Sequence, residues 1–158
     1  MEEIESHEAL ELIDWLLEKV KYFRKHKKRE KFQKLPDKME RGDIIWVNFG
    51  INVGDEFSDV GTDGYFAIYW SQNSLQIIVI PISAEDRQPE KNSFAVNLGK
   101  IPGLPLNKDS YAKIDMIRSI SIRRIKRIKN QESGKISLKS INPELIKAIS
   151  NKIKEKLL

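Results

Sequence analysis

The fifteen residues from Gly50 to Gly64, G-I-N-V-G-D-E-F-S-D-V-G-T-D-G, set the carboxylates of Asp55, Glu56, Asp59 and Asp63 among four glycines. Such a cluster can gather a divalent cation, supply a general base, or simply stay solvated. The spacing does not match a calcium-binding loop, and no His or Cys lies nearby, so neither a metal nor a cofactor is expected here. Proton abstraction by Glu56 or Asp63, or a flap closing over a ligand, is the functional reading that stands beside plain solvation. The length itself points to function, because connections of about fifteen residues without helix or strand pattern are uncommon in compact domains.

Other polar and aromatic groups flank this loop. Tyr65, Tyr69 and Trp70 offer rings on which unpaired bases stack. Strand alternation sends Tyr65 and Tyr69 to one face and Phe66 and Trp70 to the other, so at least one pair is expected in the core. Arg87 and Lys91 lie in a charged loop, Ala84 to Asn92, and His7 and His26 read as surface residues of an N-terminal helix.

The elements that position these groups follow from pattern. Asp43 to Phe49, Tyr65 to Trp70 and Leu75 to Ile82 are β-rich runs, the last two joined by the polar connection Ser71 to Ser74. Ser93 to Leu98 alternates as a fourth strand, and Ser110 to Ser121 supplies one or two more. The run from Ile122 to Lys129 carries isoleucines at spacing three, which suits a short helical turn followed by a strand. Ile136 to Ile141 reads as a strand or an extended link. Asn142-Pro143-Glu144 starts a terminal helix, with Asn as cap and Pro in the first turn.

At the other end, Ile4, Leu10, Ile13, Leu17, Val20 and Phe23 share one helical face that is expected to pack on the outside of the domain or at an interface between copies, with a cover over a partner-helix groove as the alternative. That helix is acidic in its first half and basic in its second, a polarity that suits the macrodipole. The organisation is therefore a helical extension over 1–35 and a domain over 41–158. The fold class is mainly β (α+β): a small, strongly bent barrel with an N-terminal amphipathic helix and a C-terminal helix.

The 158 residues contain 28 Lys and Arg against 23 Asp and Glu, a net charge of +5 that permits an anionic partner. There is no cysteine, which excludes disulfides and thiolate metal sites. The acidic start differs from a signal peptide, and no apolar run reaches the roughly twenty residues that span a bilayer. A cytoplasmic location without membrane association is the expectation.

The ordered set R-G-D-I-I-W-V-N-F at Arg41 to Phe49, G-D-E at Gly54 to Glu56, V-I-P-I-S at Val79 to Ser83 and S-Y-A-K-I-D-M-I-R-S-I-S at Ser110 to Ser121 resembles the PemK/MazF-type toxins of bacterial toxin-antitoxin systems. The resemblance implies a curved, partly open SH3-like barrel that forms a homodimer, cleaves single-stranded RNA without metal, and is silenced by a cognate antitoxin. It makes Ser83 the family's hydroxyl at the end of the third strand, and it aligns Arg118 with an arginine of the family. One position departs: Phe66-Ala67 stands where the family carries Arg-Pro.

No Arg or Lys lies between Arg41 and Arg87, so a stabilising cation must come from Arg87, Lys91, Arg118 or a partner copy. Two functions are consistent with this. One is an endoribonuclease with Ser83 positioning the phosphate, Glu56 or Asp63 as base, Arg87 or Arg118 as stabiliser, and Lys91, Tyr65 and Tyr69 gripping RNA. The other is a catalytically degenerate barrel that binds RNA or a protein, such as an antitoxin or a gyrase-like target.

Overall fold

The computed structural model describes residues 6–27, 39–52, 64–84, 93–101, 108–126 and 139–158. Among the described residues, eight strands form one antiparallel sheet system. Strand β1 (Asp43–Val47) pairs with β2 (Tyr65–Asn73), and β2 pairs with β3 (Gln76–Ser83). The far edge of β3 is shared: its C-terminal end takes β5 (Ser110–Lys113), itself paired with β4 (Ala95–Gly99), and its N-terminal half takes β6 (Arg118–Ser121).

From β6 the chain makes a 3₁₀ turn at Ile122–Arg124 and enters β7 (Ile125–Lys126), which pairs with β1. The ring β1-β2-β3-β6-β7 is thus closed by chain continuity through a helical turn. The hydrogen-bonded sheet itself stays open, as the expected curved and partly open barrel requires. Isoleucines at spacing three build that turn, with Ile122 buried and Arg123 and Arg124 facing outward into less buried positions.

Alternation along the ring strands fills two cores. Ile45, Val47, Phe49, Ala67, Tyr69, Ile77, Val79, Ile120 and Ile122 point into the ring. Ile44, Ile68, Ile80 and Ile82 point outward, where β4, β5 and helix α2 (Pro143–Leu157) cover them with Leu98, Ala112, Ile114 and Ile149. Strands β1, β2 and β3 are therefore apolar on both faces, the condition for burial on both sides, whereas β6 turns Ser119 and Ser121 outward.

Strand β2 runs three residues past the end its apolar run predicts. The pairing shifts between Tyr69↔Val79 and Ser71↔Ile78, leaving Trp70 as the extra residue of a bulge. Ser71 to Asn73 then continue the ladder, and only Ser74 and Leu75 remain in the turn, with Ser74 at φ 55°. The Trp70 carbonyl accepts a hydrogen bond from Arg41 Nε at 3.1 Å, and the Arg41 guanidinium lies 4.9 Å from the Trp70 ring centroid.

The start of β1 is tied by a buried carboxylate. Asp43 accepts from the Glu40 amide at 2.7 Å and from the Ser140 hydroxyl of β8 (Lys139–Ser140), which pairs with β1. Both bonds end on the same buried side chain. Asp43→Ala leaves both donors unpaired, and a loss of about 2 kcal/mol is expected in urea denaturation, with Asp43→Asn milder. Helix α2 begins as its sequence dictates: Asn142 Oδ1 accepts from the Leu145 amide at 2.9 Å, and Pro143 occupies the first turn.

Helix α1 (Ser6–Lys27) departs from expectation. The face carrying Leu10, Ile13, Leu17 and Val20 is exposed, and Trp15 is the residue that buries, at 8% exposure. Gly50 is the cause: a Cβ there would fall 2.0 Å from Trp15 Cζ2, so only bare backbone admits the indole. One flat ring in such a notch gains close contact that a row of leucines on a bent surface does not. Packing of the Leu/Ile face on the outside of the barrel is corrected accordingly, and Ile4 lies outside the described residues.

Candidate functional site

The long loop springs from two fixed feet. On the outgoing side Gly50 has φ +72° and lies under Trp15. On the return Gly64 has φ +137°, and a Cβ there would be 2.6 Å from the Val47 carbonyl oxygen and 2.7 Å from Trp46 Nε1. Both positions demand left-handed backbone and close approach, which glycine alone supplies cheaply. The loop that carries Glu56 and Asp63 lies outside the described residues, but its mouth is defined.

Two arginines converge on that mouth. Arg118 sits opposite Val79 and shares the ring-facing side of β6 with Ile120, which brings its guanidinium 5.8 Å from the Phe49 ring centroid. Among the described residues no carboxylate pairs with it; the ion pairs there join Lys21 to Glu18, and Lys152 and Lys156 to Glu155. Arg124, at the end of the 3₁₀ turn, donates from Nη1 to the Phe49 carbonyl at 2.9 Å and lies 5.3 Å from the Trp15 ring centroid. Lys19 Nζ approaches the same ring at 5.2 Å.

An open groove of about 540 Å³ runs beside these cations, lined by Asn52, Asp115, Arg118, Ser119, Ser121 and Arg124 with apolar neighbours. The lining joins a carboxylate, hydroxyls, an amide and two guanidinium groups, a donor-rich surface suited to a phosphodiester with one base at hand. Among the described residues no cluster of three or more His, Cys, Asp or Glu could hold a metal ion.

The residues singled out in the sequence are distributed unevenly around it. Arg118 lines the groove. Ser83 ends β3 half-buried, opposite Tyr111, four residues beyond the Val79 that faces Arg118. At about 3.3 Å per residue this separates the two backbones by about 13 Å along the strand. That span is within the combined reach of an arginine side chain, a phosphate and a serine hydroxyl.

Tyr69 is corrected as a stacking platform: it is 8% exposed and belongs to the inner core. Tyr65 is half-buried at the rim of that core, where part of its ring stays accessible. Phe66 and Trp70 pack on the outer core, with Phe66 meeting Trp46 edge to face at 4.6 Å. Arg87 and Lys91 lie outside the described residues, as does the acidic loop.

Asn52, Asp115 and Arg124 are groove residues that pattern reading misses. The spacing of isoleucines that predicts the turn at 122–124 also places Arg124 off its buried side, and that signal was available. What no spacing reveals is that the turn ends beside Phe49.

A small ring of strands with a cationic groove at the mouth of one long loop defines the class of protein. Within that class, the family model of PemK-like, MazF-like toxins of type II toxin-antitoxin systems matches residues 40–157, and the chain belongs to this family. Membership implies a cognate antitoxin as partner. No curated protein matches the chain. Helix α1 lies before the matched segment, and no helix among the described residues is long and apolar enough to cross a membrane.

Proposed function

We propose that the protein is the toxin of such a pair and a metal-independent endoribonuclease, acting on single-stranded RNA in the groove at the mouth of the 50–64 loop. The observation that carries this reading is Arg118: a guanidinium backed by the Phe49 ring, lining the groove, with no carboxylate pairing it among the described residues. It supplies the charge that Phe66-Ala67 lacks. Those two positions are apolar for a reason, since Ala67 is fully buried in the inner core and Phe66 packs on the outer one.

In the proposed reaction a carboxylate takes the 2′-hydroxyl proton, with Asp115 on the groove wall and Glu56 or Asp63 of the loop as the candidates. The 2′ oxygen attacks the adjacent phosphorus, and the bond from phosphorus to the 5′ oxygen breaks. A proton passes to that oxygen, leaving a 2′,3′-cyclic phosphate and a 5′-hydroxyl. Arg118 and Arg124 stabilise the phosphorane as its charge develops. Ser83, at the end of β3, positions the scissile phosphate, while Tyr65, Arg87 and Lys91 engage flanking nucleotides. A cytoplasmic homodimer is part of this proposal.

The apolar Phe66-Ala67 pair, packed into the two cores where the family carries Arg-Pro, favours a second reading, a barrel that binds RNA or a protein without cleaving. One experiment separates the two: purified protein incubated with a broad RNA panel in EDTA, with end analysis of the products. Cleavage to cyclic-phosphate ends, lost in Asp115→Asn or in Glu56→Gln/Asp63→Asn, supports the enzyme. Intact RNA with and without metal, together with salt-sensitive binding, leaves the binding module.

A further inference from the structure

Seven large apolar side chains of α1 are between 39% and 62% exposed, and they account for most of the large apolar residues exposed among those described. Leu10, Leu12, Ile13, Leu16, Leu17 and Val20 fall within about 160° of arc at 100° per residue, and Trp15 lies on the opposite side. The indole that anchors the helix to Gly50 thereby turns this face away from the ring. A contiguous apolar face of that kind on a folded domain marks an interaction site.

Within it, Leu10, Ile13, Leu17 and Val20 follow the 3-4-3 spacing of a coiled-coil seam. The charges identify the occupant. Glu8, Glu11, Asp14 and Glu18 precede Lys19, Lys21 and Arg24, so the helix is acidic in one half and basic in the other. A second copy laid antiparallel sets each acidic half against a basic half, whereas a parallel copy opposes like charges.

We propose that α1 is a self-association helix that pairs antiparallel, about a two-fold axis, with α1 of a second copy of this chain. The seam is then isologous, with Leu10 facing Val20 of the other copy and Ile13 facing Leu17. Because α1 precedes the segment matched to the toxin family, this contact is separate from any pairing of the barrels and does not depend on the proposed ribonuclease activity.

The chain has no cysteine, so single thiols report the geometry directly. Full-length Leu10→Cys carrying an affinity tag is mixed with untagged Val20→Cys and oxidised, and disulfide-linked peptides are identified by mass spectrometry. A Leu10→Cys to Val20→Cys disulfide is expected, at least tenfold above the homodisulfides of either variant alone. Adding Ile13→Asp/Leu17→Asp to both chains should abolish it while leaving the thermal unfolding transition in place, since both positions are exposed. Predominant homodisulfides would mean a parallel pair and overturn the assignment. Absence of any α1 cross-link, or a cross-link that appears only when a different protein is bound, would overturn it as well.

Discussion

Gly50→Ala is expected to release α1 from the barrel and to lower stability by about 3 kcal/mol. The added Cβ would meet three atoms of the Trp15 indole at 2.0, 2.2 and 2.3 Å, inside any tolerable contact. The backbone at φ +72° adds a strain of about 1–2 kcal/mol for a side chain in the left-handed region. Relief by moving Gly50 would drag Phe49, which is fully buried and holds Arg124 through its carbonyl, so the helix yields first. Losing the burial of a large aromatic ring contributes about 2 kcal/mol more.

The signature is non-additivity. In a Trp15→Ala background the same Gly50→Ala change should retain only the strain, because the clash has no partner left. Chemical denaturation of the four proteins in the cycle measures this coupling, and limited proteolysis reports whether α1 has detached. An equal loss in both backgrounds would mean that Trp15 does not depend on Gly50.

How far the sequence predicts such features depends on whether a contact is local. The capping of α2 by Asn142 and Pro143 is local and legible, as is the turn at 122–124 from its isoleucine spacing. Trp15 is the opposite case. Periodicity identifies the leucine-rich face of α1, but which face docks is decided by a glycine thirty-five positions away and by Arg124 beyond it.

The tyrosines illustrate a second limit. Alternation correctly separates Tyr65 and Tyr69 from Phe66 and Trp70, yet it cannot say which pair faces a ligand when both sides of a strand are covered. In β2 both sides are, and Tyr69 is core. Arg118 was legible as a residue of interest, but its approach to Phe49 depends on β6 pairing with the first half of β3 and on the chain closing back to β1. Ring closure is non-local, so the groove it creates, with Asn52, Asp115 and Arg124, has no signature in any short stretch.

If the groove cleaves RNA, Arg118→Ala should reduce single-turnover cleavage by about 100-fold while hardly changing the fold. The two arginines differ in what each does in the resting protein. Arg118 touches Phe49 through its charge over the ring, a contact worth about 0.5–1 kcal/mol at a partly exposed site, so its removal barely moves the unfolding midpoint. In the transition state the same guanidinium meets charge that is absent from the ground state, and loss of one such donor typically costs two to three orders of magnitude in rate. Arg118→Lys keeps the charge but not the planar fork, and should recover only part of the rate.

Arg124→Ala differs because it also removes the shorter of the hydrogen bonds to the Phe49 carbonyl, leaving that from Asn52 Nδ2 at 3.4 Å, and uncovers Trp15, so it should lower both rate and stability. RNA affinity gives a further check: each arginine that meets a phosphate should reduce the slope of log affinity against log salt by about 0.7 when removed. A fall in that slope without cleavage by the unsubstituted protein would assign Arg118 to binding alone. Cleavage that survives Arg118→Ala undiminished would remove it from the mechanism and return the search for the cation to Arg87 and Lys91.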